Sequence, residues 1–155
     1  MTTLTFAPEP PDGDLAADLL GRYFRELDSR FPDGFDAART VAAPSAELVP
    51  PYGTFLIARL DGRPVGCGAV RLLDDVTAEI KRMWIDPAAR GHGVGRGMLA
   101  ALEGAARSLG AKTARLDTSA HLAEAIGLYR SAGFVEIPAY NDNEYAAHWL
   151  EKPLG

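Results

Sequence analysis

A mixed α/β (α+β) sheet covered by helices is the fold class this sequence predicts, and three observations carry the prediction. Three strand-like runs follow one another between residues 54 and 85, separated only by turn signals, which is the pattern of an antiparallel meander. Beyond residue 85 the pattern changes to strand, loop, helix, strand and helix, the alternation that places helices against a sheet. The 155 residues match one domain in size, and no repeat, low-complexity tract or linker divides them, so residues 1–155 read as a single domain.

In chain order, Leu4 to Ala7 forms a short first strand. Leu15, Leu19, Leu20, Tyr23, Phe24 and Leu27 recur at helical spacing and predict an amphipathic helix over Asp14 to Leu27, with Asp12 or Asp14 available as its cap. From Phe31 to Tyr52, four prolines and weak periodicity predict a loop with one short helix, the kind of segment that lines a pocket. Thr54 to Leu60 and Pro64 to Leu73 read as strands joined by the hairpin signal Asp61-Gly62. After a turn at Asp74-Asp75, Val76 to Ile85 is the third strand, stopped by Pro87. A helix runs from about Val94 to Gly110, with Met98, Leu99, Leu102 and Ala106 on its apolar face. Thr113 to Thr118 is a strand and His121 to Ser131 a helix ended by Gly133. Phe134 to Ile137 and Ala147 to Lys152 are the last strands.

Composition narrows the function classes. Sixteen basic and twenty-one acidic side chains give a net charge of −5, which disfavours nucleic acid and anionic lipid as partners and mildly favours a cationic small molecule. No apolar run approaches the ~18 residues of a membrane span, and the first residues lack the pattern of a secretory signal. Cys67 is the single cysteine and can form no internal disulfide, so a cytoplasmic setting is expected. Three separated histidines and one cysteine provide no metal-ligand spacing.

Residues 89–97, Ala-Arg-Gly-His-Gly-Val-Gly-Arg-Gly, place four glycines between a strand and a helix. The first N–H groups of a helix have no internal partner and, with the helix dipole, attract an anion. Glycines remove the Cβ atoms that would block a phosphate from those amides and allow positive φ. Arg90 and Arg96 flank the loop and supply positive charge, and Gly97 suits close packing of helix on sheet. The loop ends Gly-Arg-Gly rather than Gly-Lys-Ser/Thr, so it is not a nucleotide P-loop. A dinucleotide fingerprint can be laid on Gly95 to Ala100 with Asp117 downstream, but it falls inside the predicted helix and competes weakly.

Arg90-Gly91-His92-Gly93-Val94-Gly95 fits Arg/Gln-x-x-Gly-x-Gly, and Ala125, Leu128, Tyr129, Gly133 and Phe134 fit Ala-x-x-Leu-Tyr-x-x-x-Gly-Phe. In both motifs and their order the chain resembles the GNAT superfamily of N-acetyltransferases, from about residue 54 to the end. The resemblance implies a single GNAT-fold domain: a mostly antiparallel mixed sheet splayed at its centre, with helices on both faces. It implies acetyl transfer from acetyl-coenzyme A, as cosubstrate, to a primary amine by direct attack. The acceptor is expected to be a small molecule. A protein or peptide amine is the alternative, and a non-catalytic acyl-coenzyme A sensor the reading from another class. Family members often form homodimers.

By the same resemblance, backbone amides of Gly91, His92, Gly93, Val94, Gly95 and Arg96 would hold the pyrophosphate, with Arg90 adding charge. The main chain of Met83, Trp84 and Ile85 would pair with the pantetheine arm, and Tyr129 would protonate the leaving thiolate. A free alkylamine has a pKa near ~10.4 and must lose a proton before it attacks. Glu79 is the first choice for the base and Asp117 the second, with an ion pair to Lys81 as the competing role for Glu79. Simple alternation places Glu79, Lys81, Met83 and Ile85 on one face of the strand and Ile80, Arg82 and Trp84 on the other. Relatives often carry an asparagine where this chain has Leu122, which weakens that contact. The acceptor pocket is expected between the loop Phe31 to Tyr52 and residues Tyr140 to Tyr145. There Asp142 and Glu144 could attract an ammonium group, and Tyr140 or Tyr145 could stack on it.

Overall fold

In the computed structural model, which describes residues 2–39 and 43–155, the predicted meander is formed by β2 (Gly53–Leu60), β3 (Arg63–Leu72) and β4 (Thr77–Ile85). Asp61 and Gly62 both take positive φ, 51° and 83°, and join Leu60 to its partner Arg63 as a two-residue hairpin turn. β1 (Leu4–Pro8) adds antiparallel to the far edge of β2. On the other side follow β5 (Thr113–Thr118), β7 (His148–Pro153) and β6 (Val135–Ile137), giving the sheet order β1-β2-β3-β4-β5-β7-β6. β4 and β5 are parallel and the remaining neighbours antiparallel, so the sheet is mixed and mostly antiparallel.

Helices cover both faces. α1 (Asp14–Arg30) packs Ala16 and Leu19 on Phe55, Ile57, Cys67, Ala69 and Trp84. α2 (Val94–Ser108) buries Met98, Leu99, Leu102 and Ala106 on the opposite face, and α3 (Ala123–Ser131) adds Tyr129 to the same core. Burying one such leucine or methionine contributes about 1.5–3 kcal/mol.

Several boundaries differ from the sequence reading. α1 continues to Arg30, and its N-cap is Gly13, without a side-chain hydrogen bond, so neither Asp12 nor Asp14 caps it. α3 begins at Ala123 rather than His121, because Ser119 holds the preceding turn: its Oγ accepts from the His121 amide and its carbonyl from the Leu122 amide. The loop between α1 and β2 contains two short 3-10 turns, Ala37–Arg39 and Ser45–Glu47; residues 40–42 of it lie outside the described residues.

Two features of β4 set up the site. The pairing of β4 with β5 is confined to Thr77–Glu79 against Thr113–Arg115, while β5 continues to Thr118 against β7. The strands therefore part after Glu79. The second feature is a bulge: β3 advances from Cys67 to Ala69 while β4 advances from Trp84 back to Lys81, one residue more, and Arg82 takes φ 56°. This corrects the alternation expected for the strand. Trp84 joins Glu79 and Lys81 on the α1 side, whereas Met83 and Ile85 pack into the core beneath α2.

Candidate active site

Where β4 and β5 separate, a cavity of about 420 Å³ opens. Its floor is β4 from Glu79 to Met83 and β5 from Asp117 onward; α3 contributes Ala125 and Tyr129. α1 and the following loop supply Tyr23, Phe24, Leu27, Phe31 and Phe35, joined from the far end of the chain by Tyr145. These rings form one aromatic wall: Phe24 stacks on Phe35 at 5.5 Å, Phe31 on Tyr145 at 5.3 Å, and Phe35 lies 4.9 Å from Tyr145. The apolar positions of α1 and the segment after it thus converge with a loop 109 residues away in the chain, fixed by the Tyr145 hydroxyl accepting from the Asp36 amide.

The two candidate bases sit on opposite sides of the opening. Glu79 is 1% exposed. Its Oε1 accepts from Arg71 Nε at 3.1 Å, with Lys81 Nζ 3.6 Å away, and its Oε2 accepts from the Tyr140 hydroxyl at 2.8 Å. Arg71 also reaches Glu47 at 2.9 Å. Burial pushes the Tyr140 phenol well above its ordinary range, with the Glu79 charge and hydrogen bond adding to the effect. Asp117 is half-buried, and its two oxygens accept from the side-chain amides of Asn141 at 2.7 Å and Asn143 at 3.0 Å. Both donors are neutral side-chain amides, and no cation pairs with Asp117 among the described residues.

Tyr129 lines the cavity and packs edge-on against Phe134 at 6.1 Å. Its hydroxyl has no hydrogen-bond partner among the described residues, and it is not one of the sealed polar atoms. Burial, with the nearby Asp117 charge, pushes its pKa up to about 12, so the phenol holds its proton across the neutral range. The Tyr23 phenol is raised as well, first by burial and then by the charge of Tyr129.

The glycine loop runs from a 3-10 turn, Pro87–Ala89, capped by Asp86, into α2. Gly91 and Gly93 have φ of 88° and 78°, in open space, and Gly93 is the N-cap. The amides of Gly91 through Arg96 make no hydrogen bond among the described residues, and the first one engaged is that of Gly97, to the Gly93 carbonyl. This is a donor-rich turn shaped for an anion. Gly97 lies against β1: a Cβ there would come within 2.6 Å of the Phe6 ring. Arg96 is exposed beside it, with one contact to Ser131 Oγ at 3.4 Å. Arg90, by contrast, turns inward, donating from Nε to the Ile85 carbonyl and from Nη2 to both oxygens of Glu26 at 2.9 Å. Its charge is directed at Glu26, not at the loop's open amides. Glu26 also accepts from Trp84 Nε1 and pairs with Arg30, which itself pairs with Glu124 of α3.

The structure thus brings Glu79, Asp117 and Tyr129 to one cavity, with Met83 at its edge and Trp84 and Ile85 continuing the strand toward the glycine loop. His92 is exposed in the loop with no side-chain contact among the described residues. Leu122 lines the cavity. In the segment Tyr140 to Tyr145, Glu144 is taken by Arg39 and Asp142 does not line the cavity; Asn141 and Asn143 serve Asp117 instead. Cys67 is buried, donates to the Arg82 carbonyl at 3.4 Å, and has its thiol pushed up to about 12 by burial, which leaves it inert as a nucleophile. Sequence reading passed over Tyr23 and Arg82, which line the same cavity. A signal for the bulge that carries Arg82 was the unbroken apolar run Met83-Trp84-Ile85 straight after two cations, which strict alternation does not produce.

The sequence matches the model of the Acetyltransferase (GNAT) family over residues 16–134. It is 33% identical over 157 residues to the IAA acetyltransferase of Azospirillum brasilense, covering 99% of this chain and all of that protein. It is 30% identical over 126 residues to the N-acetyltransferase YjgM of Escherichia coli, covering 76% of this chain and 75% of that one. Among solved structures, an acyl-CoA N-acyltransferase fold from Klebsiella pneumoniae superposes with a TM-score of 0.80 at 29% identity over 99% of both chains. A Salmonella typhimurium structure holding its cofactor acetyl-CoA has a TM-score of 0.71 at 20% identity, covering 99% of this chain and 94% of that one.

Proposed function

The chain belongs to the GNAT acetyltransferase family, and from that premise we propose that it transfers the acetyl group of acetyl-coenzyme A to the primary amine of a small molecule held between β4 and β5. The observation that carries this reading is the parting of β4 from β5 after Glu79: it leaves one side of β4 unpaired beside a cavity, and the strand itself runs on through Trp84 and Ile85 to the segment that precedes the glycine loop. Acetyl-coenzyme A fits the residues present. The unengaged amides of Gly91 to Arg96 suit a pyrophosphate, with Arg96 adding charge, and the edge of β4 that β5 leaves unpaired at Met83, Trp84 and Ile85 suits the amides of a pantetheine arm, although the Ile85 carbonyl already accepts from Arg90. When bound, acetyl-coenzyme A supplies an activated thioester.

Tyr129 donates a proton toward the thiol leaving group; its raised pKa keeps that proton available at neutral pH. For the amine we favour Asp117 as proton acceptor over Glu79, directly or through one water. Glu79 has donors on both oxygens and is sealed by Arg71, Lys81 and Tyr140, so it orders the floor of the site. Asp117 is held by two neutral amides and remains half-exposed at the cavity. Arg90 supports the loop through Glu26 and contributes to the anion site mainly by position.

The aromatic wall from α1 and its loop closes the cavity on one side, which favours a small acceptor over a peptide laid across the sheet. A screen of small amines and short peptides, read by release of free thiol from acetyl-coenzyme A, tests the proposal. Amine-stimulated release with small acceptors is expected. Tight acetyl-coenzyme A binding with no release across the panel would replace enzyme by sensor, and release with peptides alone would replace the acceptor class.

A further inference from the structure

Resting on the acetyltransferase reading, we infer that the acceptor is an amino acid with an apolar or aromatic side chain, its carboxylate bound by Arg82 and its side chain lying on the aromatic wall. The observation is a cation without a partner. Arg82 lines the cavity from the bulge of β4, is partly buried, and makes no salt bridge or side-chain hydrogen bond among the described residues. Its charged neighbours are Cys67, Arg71 and Tyr23, with no carboxylate among them, and loss of solvent lowers its pKa. On the same face Arg71 and Lys81 share Glu79, and Arg71 also has Glu47. Among the described residues neither of these carboxylates pairs with Arg82.

A guanidinium held partly out of water without a partner is costly to keep, and a bidentate carboxylate is the ligand its planar donor pair fits best. The bulge itself points the same way. A non-glycine residue in the left-handed region inside a central strand is a local strain, and such strain accumulates where a side chain must be aimed. The remainder of the cavity specifies the rest of the acceptor. Asp117, across the gap on β5, offers a negative charge for the ammonium end, and Phe24, Phe31, Phe35 and Tyr145 offer flat apolar surface for a side chain. One cation, one anion and an aromatic wall describe an α-amino acid in three contacts.

The reaction then balances simply. The ammonium of the amino acid gives one proton through Asp117 to solvent, a nitrogen–carbon bond forms to the acetyl group, and the carbon–sulfur bond breaks. The proton that Tyr129 gives to sulfur is made good by the second proton leaving nitrogen. Products are the N-acetyl amino acid, coenzyme A thiol and one released proton.

The test compares phenylalanine, phenylalaninamide and phenethylamine as acceptors by thiol release, in the wild-type protein and in Arg82→Gln and Arg82→Lys. Phenylalanine is expected to exceed the two acceptors lacking a carboxylate by about 100-fold in kcat/KM, the scale of a lost charged hydrogen-bonded pair. Arg82→Gln should erase that preference, mainly through KM, while leaving phenethylamine turnover within about threefold; Arg82→Lys should restore part of it. Thermal unfolding and acetyl-coenzyme A binding of each variant establish that it is folded. Equal or better turnover of phenethylamine and phenylalaninamide would overturn the carboxylate site while leaving the acetyltransferase reading in place. An equal fall for all three acceptors in Arg82→Gln would also overturn it. Absence of release with every amine of the wider panel would overturn both.

Discussion

The Tyr140 hydroxyl donates to Oε2 of Glu79 at 2.8 Å, so a residue from the loop before β7 closes the last open side of a carboxylate buried on β4. With Arg71 and Lys81 at the other oxygen, Glu79 becomes a structural junction between the two halves of the splayed sheet.

Glu79→Gln should therefore act first on stability. Removing one member of a buried ionic set leaves its partners uncompensated, a loss of about 3–5 kcal/mol in related situations. Arg71 retains Glu47, which places the expectation at the lower end of that range. Urea unfolding should show the loss, with kcat in the folded fraction changed less than tenfold. A fully stable variant with turnover reduced a hundredfold or more would return Glu79 to the role of base.

Asp117→Asn carries the opposite expectation. Its partners Asn141 and Asn143 are neutral, so no cation is left unpaired, but one of the two amide donors loses its acceptor and stability should fall by about 1–3 kcal/mol. The rate should fall by about 10²–10⁴-fold if the carboxylate accepts the amine's proton. The defect should be largest at low pH, where the amine holds its proton most firmly, and a pH-rate profile of kcat/KM checks this. A uniform loss at every pH would mark Asp117 as a positioning residue.

The two glycines of the loop separate binding from folding. Gly93→Ala places a Cβ on a left-handed residue, at a cost of roughly 1–2 kcal/mol, in open space where nothing else is disturbed. Its main effect should be about tenfold weaker acetyl-coenzyme A binding by calorimetry. Gly97→Ala drives a methyl into the Phe6 ring 2.6 Å away, an overpacking cost of about 1–3 kcal/mol. Phe6→Leu should recover much of that stability in the double variant, and the absence of any recovery would mean that the helix adjusts some other way.

How much of this was legible in the sequence depended on the range of the interaction. The meander, the Asp61-Gly62 hairpin, the glycine loop and the placing of Tyr129 are local patterns, and each is present where its residues predicted it. The face of Trp84 was not legible, because one left-handed residue at Arg82 shifts the period of everything after it. Tyr140 reaching Glu79 and Glu26 taking Arg90 span 61 and 64 residues, and no periodicity encodes them. Arg82 is the sharpest case. In sequence it is one of two adjacent cations on a strand; only the fold shows that Lys81 has a carboxylate and that Arg82 has none among the described residues.

Tyr129 links the proposed chemistry to pH. Burial raises its phenol from an ordinary value near 10 to about 12, so the neutral acid persists where an exposed tyrosine would be half ionised. The rate should climb from acid pH to about pH 10 as the amine is deprotonated, without the alkaline fall an unshifted tyrosine would give. Stability should follow a different course over the same range. The unfolded chain releases the Tyr129 proton near pH 10 and the Cys67 proton near 9.0, while the folded chain keeps both to about 12. The unfolded state thus binds fewer protons in that window, and stability, complete below pH 9, declines as pH rises toward 12. Tyr129→Phe should lower kcat by about 10²–10⁴-fold with little change in acetyl-coenzyme A affinity, and should flatten the part of the alkaline stability loss that belongs to this phenol. Turnover unchanged in Tyr129→Phe would leave the stability effect intact and remove Tyr129 as the acid.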